Sequence, residues 1–178
     1  MGNIKGVKEE FDTDFDIKHC VTNSWRMSAY HFHDVFEIYL AMCGGVKYFV
    51  GDMVYEVEKK DMLIFNSMDL HKTVVSPDLK YERFIVLFNP QIARELSTSK
   101  TNLLECFSQR GKDFCHKISL NNNEYNSYLQ ILYRAHSSLW GNAYGKDVYS
   151  RINLAEILLF VNNTYKHKGM KMKKLLLV

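Results

Sequence analysis

Between residues 14 and 90 the chain is divided into short segments of alternating character, separated by turn-forming residues. In the clearest segment, one face of an extended chain carries Phe36, Ile38, Leu40 and Met42, and the other carries Val35, Glu37, Tyr39 and Ala41. An alternation of period two places successive side chains on opposite faces of a strand. Gly44-Gly45 ends this segment, and Gly51-Asp52 divides the next into a hairpin. Many short strands bounded by turns favour an antiparallel sandwich or barrel.

After Pro90 the apolar period changes to that of a helix. Gln91–Leu96 and Asn102–Phe107 predict short helical turns. Asn121–Asn123 offer a helix cap, because a side-chain oxygen there can accept from the free N–H groups of the first turn. Two longer helices follow, over residues 125–139 and about 146–165. The sequence therefore predicts a mainly β protein that ends in two helices.

The second long helix carries apolar residues on two faces. One stripe contains Ile152, Ala155 and Leu159. A small barrel covers one face of a helix, so the other face must pack on the first long helix or on a second copy of the chain. A core formed wholly within one chain is the alternative, and the sequence favours neither. The second apolar stripe of this helix contains Leu154, Ile157, Leu158 and Val161. We predict a homodimer in which these four residues form the contact surface.

The net charge of +3 is unevenly distributed. Residues 166–178 hold five lysines and no acid, which leaves −2 on residues 1–165. The folded body is therefore not a basic nucleic-acid surface, and the lysine-rich end is most simply a solvated tail. The four cysteines form no C-x-x-C pair, and no apolar stretch is long enough for a signal peptide or a membrane helix. We expect a cytoplasmic protein that does not contact membranes.

One group of residues could bind a metal ion or a polar ligand. In HFHDVFEIYLAMCG, His31 and His33 share strand parity with Glu37, and His71 lies downstream. Three imidazoles and a carboxylate suit a divalent metal such as Zn, Ni, Fe or Mn. A straight strand would place Glu37 about 13 Å from His33, since a strand rises about 3.3 Å per residue. A metal site therefore requires a bulge or bend at Asp34-Val35; otherwise the histidines line a polar pocket or pair with acids.

The spacing from His31 to Gly44 resembles the first motif of cupins, which are small antiparallel barrels that hold a metal or a small molecule. The stretch KDMLIFNSMDLH, residues 60–71, resembles the second cupin motif. Asp61 and His71 match it. Lys60 replaces the usual glycine, and Asn66-Ser67 replaces the turn that usually contains proline.

The order H-x-H-D-x-F-E-I-Y, D-M-L-I-F, H-K-T-V and Y-E-R-F-I-V-L-F-N resembles the sensor domain of AraC-type transcription regulators, over residues 14–165. This resemblance implies a cupin-like antiparallel β-barrel (double-stranded β-helix), two helices that commonly form the dimer contact, and a DNA-binding domain. Thirteen residues follow Tyr165, so we expect DNA contact only through a C-terminal domain outside this chain. The expected divisions are a barrel with an N-terminal arm (1–95), a helical dimerisation segment (96–168) and a basic tail (169–178).

The resemblance also implies that a small-molecule effector, a sugar or another small polar metabolite, binds inside the barrel. The aromatic residues could stack on it, although a plain core is the simpler explanation for most of them. Arg26 and Arg83 are ligand candidates because an inward arginine must be paired, but we expect both to point outward into solvent. The predicted ligand-binding residues are Trp25, Arg26, His31, His33, Glu37, Tyr39, Tyr48 and His71.

The leading hypothesis is an effector-sensing and dimerising module with no catalysis of its own, in which the effector alters the ordering of the arm, residues 1–13. The alternative is a metal-dependent cupin enzyme of the dioxygenase or isomerase type, with His31, His33, Glu37 and His71 as metal ligands. A third hypothesis is a stand-alone cupin that forms heterodimers with regulators.

Overall fold

A computed structural model describes residues 6–12, 14–23, 25–111, 114–140 and 144–175, with side chains to residue 168. Within these ranges the chain forms ten strands and four helices, and the predicted mainly β fold with two long C-terminal helices is confirmed. The strands are β1 (Gly6–Glu9), β2 (Phe15–Asn23), β3 (Tyr30–His33), β4 (Phe36–Ala41), β5 (Val46–Val50), β6 (Met53–Val57), β7 (Asp61–Phe65), β8 (His71–Val75), β9 (Lys80–Phe88) and β10 (Lys117–Ser119). The helices are α1 (Pro90–Leu96), α2 (Glu105–Ser108), α3 (Asn122–Leu139) and α4 (Lys146–Leu175).

The strands form two five-stranded sheets. The first sheet has the order β1-β3-β8-β5-β6, and the second sheet has the order β10-β7-β4-β9-β2. The described pairings are antiparallel except for β1, which lies parallel to β3. From β1 to β5 and from β6 to β9 consecutive strands alternate between the sheets, in the manner of a double-stranded β-helix, so the expected cupin-like barrel is confirmed.

The second sheet has an apolar layer on each side. On β9, Phe84, Val86 and Phe88 join a core with the helices. Tyr81, which has the opposite parity, joins a separate core with the inner face of the first sheet. Because strand side chains alternate between faces, the sheet that separates the two cores is buried on both sides. Full burial of one such aromatic side chain stabilises the fold by about 1.5–3 kcal/mol.

The helical layer is anchored by polar contacts at defined points. Asn121 caps α3 in a capping box with Glu124, in which each side chain accepts from the other residue's backbone N–H. On α4, the buried Asn162 accepts from Cys106 N at 2.9 Å and donates to the Leu103 carbonyl at 2.8 Å. These bonds hold α4 against the segment that leads into α2.

The predicted dimer surface is wrong. Leu154, Ile157, Leu158 and Val161 have no exposed area, because they pack in the core between the helices and the second sheet. A second copy cannot reach them. The other stripe of α4 faces outward, and there Ile152 is 55% exposed and Leu159 is 44% exposed.

The ends of the chain are more regular than predicted. Helix α4 continues to Leu175 instead of ending near Tyr165, so residues 169–175 of the predicted tail are helical in backbone. Lys166 pairs with Glu105, and Lys168 pairs with Glu124. Within the predicted arm, Gly6–Glu9 form β1, while residues 1–5 and 13, like 176–178, lie outside the described residues. None of the described helices has the length and apolar character needed to cross a membrane.

Candidate ligand and metal site

The bend required at Asp34-Val35 is present and moves the chain from one sheet to the other. Strand β3 ends at His33 in the first sheet, and β4 begins at Phe36 in the second. Glu37 therefore approaches His33 from the opposite wall of the barrel. The two side chains meet with 2.9 Å between His33 Nε2 and Glu37 Oε2.

Three histidines of the first sheet complete a cluster with this carboxylate. His31 lies directly across from His71 in the β3–β8 register, and their ring centroids are 4.1 Å apart. One ligand atom from each of His31, His33, Glu37 and His71 lies within 4.8 Å of all the others, and all four residues are buried. Ligands bound to one ion at about 2.1 Å lie at most about 4.2 Å apart, so small side-chain adjustments would complete a coordination site.

Backbone carbonyls orient two of the imidazoles. His33 Nδ1 donates to the Val35 carbonyl at 2.7 Å, and His71 Nδ1 donates to the Asp69 carbonyl at 2.8 Å. Because a carbonyl oxygen only accepts, each Nδ1 carries the proton and each Nε2 points toward Glu37. Metal-ligating histidines are usually held in this way. Among the described residues, His71 Nε2 and His31 Nδ1 are buried without a hydrogen-bond partner, as expected for atoms placed to bind an ion.

The electrostatics of the cluster favour a charged Glu37 and a neutral His31, and they favour the protonated form of His33. Burial alone would raise the pKa of Glu37, but the hydrogen bond from His33 and the nearby His71, whose Nε2 lies 3.6 Å from Glu37 Oε2, hold that pKa well below its usual range. Burial, reinforced by nearby His71, lowers the pKa of His31 to about 4. Burial opposes the charged form of His33, yet the hydrogen bond to Glu37 raises its pKa overall. At neutral pH the cluster holds a carboxylate and a neutral His31, which suit a divalent metal, and binding of the metal would release the proton that His33 Nε2 donates to Glu37.

The cluster lies at one side of a cavity of about 750 Å³ inside the barrel. Of the eight predicted ligand-binding residues, Tyr39 does not line it: its ring packs 4.8 Å from that of Tyr48 in the buried core. Seven do line it: Trp25, Arg26, His31, His33, Glu37, Tyr48 and His71. The sequence analysis therefore located most of one side of the cavity.

The cavity wall on β9 was not predicted. Arg83 was expected to point outward, but it is 4% exposed and lines the cavity, whereas Arg26 is exposed at the rim. The guanidinium carbon of Arg83 lies 4.6 Å from the ring centroid of Trp25 and 4.0 Å from that of Tyr81. Arg83 Nη1 donates to Thr22 Oγ1 at 3.0 Å and to the Tyr81 carbonyl at 3.3 Å. The strict alternation along YERFIVLF was the available signal, because a strand covered by helices on one parity must turn the other parity inward.

The N-terminal arm covers part of the same cavity. β1 pairs with β3, and Glu9 is opposite His33 in that register. Phe11 meets the His33 ring edge-on at 5.5 Å. Glu9 and Phe11 both line the cavity, so the arm contacts the histidine cluster directly.

The sequence profile of the AraC-like ligand binding domain matches residues 21–143. The chain belongs to this family. The matched region of the AraC-like domain contains all four residues of the histidine cluster and Arg83. A comparison with curated proteins gives no match.

Solved structures agree on the fold of the AraC-like domain. The apo K231A variant of ToxT from Vibrio cholerae superposes with a TM-score of 0.54 at 12% identity, over 89% of this chain and 59% of the ToxT chain. ToxT from Vibrio cholerae bound to (E)-4-(8-methylnaphthalen-1-yl)but-3-enoic acid superposes with a TM-score of 0.52 at 12% identity, over 87% of this chain and 58% of that one. The AraC-like domain thus corresponds to less than two thirds of the ToxT chain.

Proposed function

We propose that this AraC-like domain is the effector-sensing and dimerisation part of a transcriptional regulator, and that it binds a small molecule inside its barrel without catalysis of its own. The observation that carries the proposal is the internal cavity of about 750 Å³, with buried histidine, carboxylate and guanidinium groups converging on it. The lining combines aromatic and aliphatic side chains with these convergent polar groups, and concave sites of this kind bind small molecules. A small polar metabolite, such as a sugar or an organic acid, suits these groups.

The arm supplies a means of reporting occupancy. Glu9 and Phe11 line the cavity, so an effector inside it would contact them. An effector that binds one state of the arm more tightly shifts the chain toward that state by its difference in affinity. A DNA-binding domain outside this chain would respond to the shift in the cytoplasm. In this proposal residues 1–95 bind the effector, and residues 96–168 carry the dimer contact.

We assign the dimer contact to the outward face of α4 in place of the buried stripe. Val148, Ile152 and Leu159 are exposed on it, with Ala155 partly buried between them. Spacings of four, three and four residues place these side chains along one face of the helix, in the pattern that mediates helix–helix packing. Two copies related by a two-fold axis would bury this face against itself.

A panel of sugars, organic acids and divalent metals, tested by thermal shift, examines the proposed effector site. The matched variant is Ile85→Trp, which places a large side chain in the cavity from β9. At least one compound should raise the Tm of the wild-type chain, because a ligand that binds only the folded state stabilises it. A shift caused by a sugar or an organic acid should be absent in Ile85→Trp, whereas a shift caused by a metal at the histidine cluster should persist. A panel without any stabilising sugar or organic acid, or shifts from these compounds that persist in the variant, would contradict the proposal.

The histidine cluster favours a second candidate, a metal-dependent cupin enzyme. In either case we propose a divalent cofactor, Zn, Ni, Fe or Mn, held by His31, His33, Glu37 and His71. Such an ion would supply a Lewis acid to whatever occupies the cavity. Metal analysis of protein purified without nickel affinity, followed by assays for turnover in the wild type and in His33→Ala, separates the candidates. Metal without turnover supports the sensor, and turnover lost in His33→Ala supports the enzyme.

A further inference from the structure

Arg83 is a buried cation whose charge is not neutralised within the described part of the chain. It is 4% exposed, and both hydrogen bonds described for it leave from Nη1 to neutral oxygens. No carboxylate among the described residues forms an ion pair with it. Removing a charge from water is unfavourable unless the charge is paired. An unpaired guanidinium that lines a cavity therefore points to an anionic occupant.

The surrounding side chains fix this guanidinium in place. It lies against the rings of Trp25 and Tyr81, at 4.6 Å and 4.0 Å from their centroids, and these two rings are tilted by 52° with centroids 6.3 Å apart. Contact with aromatic rings holds the planar group in position and leaves N–H donors at its edge free to bind. An arginine carries five N–H donors, of which Nη1 supplies those used in the described bonds. The donors of Nε and Nη2 remain.

Trp25 adds a second, independent donor. Its ring lines the cavity, and its Nε1 is buried without a hydrogen-bond partner among the described residues. An indole N–H can only donate. The guanidinium and the indole are in contact, so their unused donors lie close together beside the cavity, and donors alone suit an oxygen anion better than a hydroxyl that must also donate.

Apolar side chains continue this wall along β9. Ile85 and Leu87 line the cavity beside Arg83, and the exposed Lys18 of β2, which pairs with Asp16, lines it opposite Ile85 in the strand register. Ile85 and Leu87 share the inward parity of β9 with Arg83. A ligand bound here would place its charged group at the guanidinium and an apolar body along β9.

We propose that Arg83 and Trp25 form a carboxylate-binding subsite, so that the effector is a small organic acid with an apolar body, and not a neutral sugar. This inference rests on the proposed effector-sensing function. A carboxylate accepts two parallel N–H bonds from a guanidinium, which are among the stronger hydrogen bonds in proteins. It also neutralises the buried charge of Arg83.

The test compares 3-phenylpropionate with 3-phenylpropanamide, its uncharged isostere, by titration calorimetry and Trp25 fluorescence. The wild-type chain should bind the carboxylate at least about tenfold more tightly than the amide, as expected for a charge-assisted pair. Arg83→Gln should abolish this preference. Lys80→Gln removes a positive charge from an exposed position on the same strand and should retain the preference.

Two further measurements separate a loss of the subsite from a loss of folding. Circular dichroism establishes that Arg83→Gln is folded, and Arg83→Lys, which keeps the charge but loses the fork, should show a reduced preference. Equal affinities for the acid and the amide, or binding of sugars alone, would overturn the carboxylate subsite. If Ile85→Trp also blocks that binding, the proposal that the cavity binds an effector still stands. A chain that binds neither series nor any sugar contradicts both proposals.

Discussion

At the scale of residues, the metal proposal depends on the turn at Asp34-Val35. Without it, Glu37 would remain on the same straight strand as His33 and could not reach its Nε2 at 2.9 Å. The Val35 carbonyl also holds His33 Nδ1. The turn therefore places the Glu37 carboxylate next to His33 and also orients the His33 imidazole.

We predict that His71→Ala lowers the affinity for Zn²⁺ at least about 100-fold, because the loss of a ligand exceeds the 10–100-fold effect of losing an outer-shell partner. Calorimetric titration of the metal-free chain measures this. The matched control is His136→Ala, since His136 lies on α3 beside Trp140 and does not line the cavity. Equal affinities in the two variants would place the ion elsewhere.

His116 gives a prediction about acid stability. Burial lowers its pKa, although the Ile64 carbonyl and Asp69 raise it in part and Arg110 lowers it further. Below the unfolded pKa of about 6.5 the unfolded chain takes up a proton that the folded chain resists. This histidine therefore removes stability as pH falls from about 7 toward 5. His116→Phe should make the decline in urea-unfolding free energy shallower over this range; a steeper decline would refute the assignment.

The residue patterns predicted the histidine cluster but not the Arg83 wall. His31, His33 and Glu37 share a parity and a motif spacing, which are local properties of one segment. The inward position of Arg83 depends on the helices that cover the other face of β9, and this is a long-range fact. Tyr39 has the correct parity, yet Tyr48 and Tyr81 shield it from the cavity.

At the scale of elements, the contrast between local sequence pattern and long-range packing also applies to the two apolar stripes of α4. Both stripes are apolar in sequence, and only packing against the second sheet decides which one is buried. β1 and β10 were not predicted because they are four and three residues long and pair with partners far away or in parallel. The long strands and helices, whose periods extend over many residues, were predicted.

The outward face of α4 should control association. Ile152→Glu and Leu159→Glu should each shift the chain from dimer to monomer in sedimentation velocity, because a charge at the centre of an apolar contact loses its hydration without gaining a partner. Val54→Glu, at an exposed position on β6, is the control and should remain dimeric. A wild-type chain that is monomeric at all concentrations would exclude this interface.

The capping box of α3 should contribute measurably to stability. Asn121→Ala removes the acceptor for the backbone N–H of Glu124 and should lower the free energy of unfolding by about 1 kcal/mol. Asn123→Ala, an exposed first-turn position, should change it by less than about 0.5 kcal/mol. Equal effects in urea denaturation would mean that the cap contributes nothing specific.

At the scale of the whole molecule, the second sheet connects the cavity to the helical layer. The second sheet forms a wall of the cavity with one face and packs against α3 and α4 with the other. An effector that displaces Arg83 or Glu37 therefore acts on strands that also carry the helical layer. The cavity and the helices therefore contact opposite faces of the same strands, which gives a physical connection between the proposed binding site and the proposed dimer contact.

The most direct test of this account is a crystal structure of the chain grown with the compound that gives the largest thermal shift. We predict electron density for that compound between the two sheets, in contact with Arg83 and with the side of the cavity that carries His31 and His71. Density on the outer face of a sheet or on α4, with only water inside the barrel, would contradict the account.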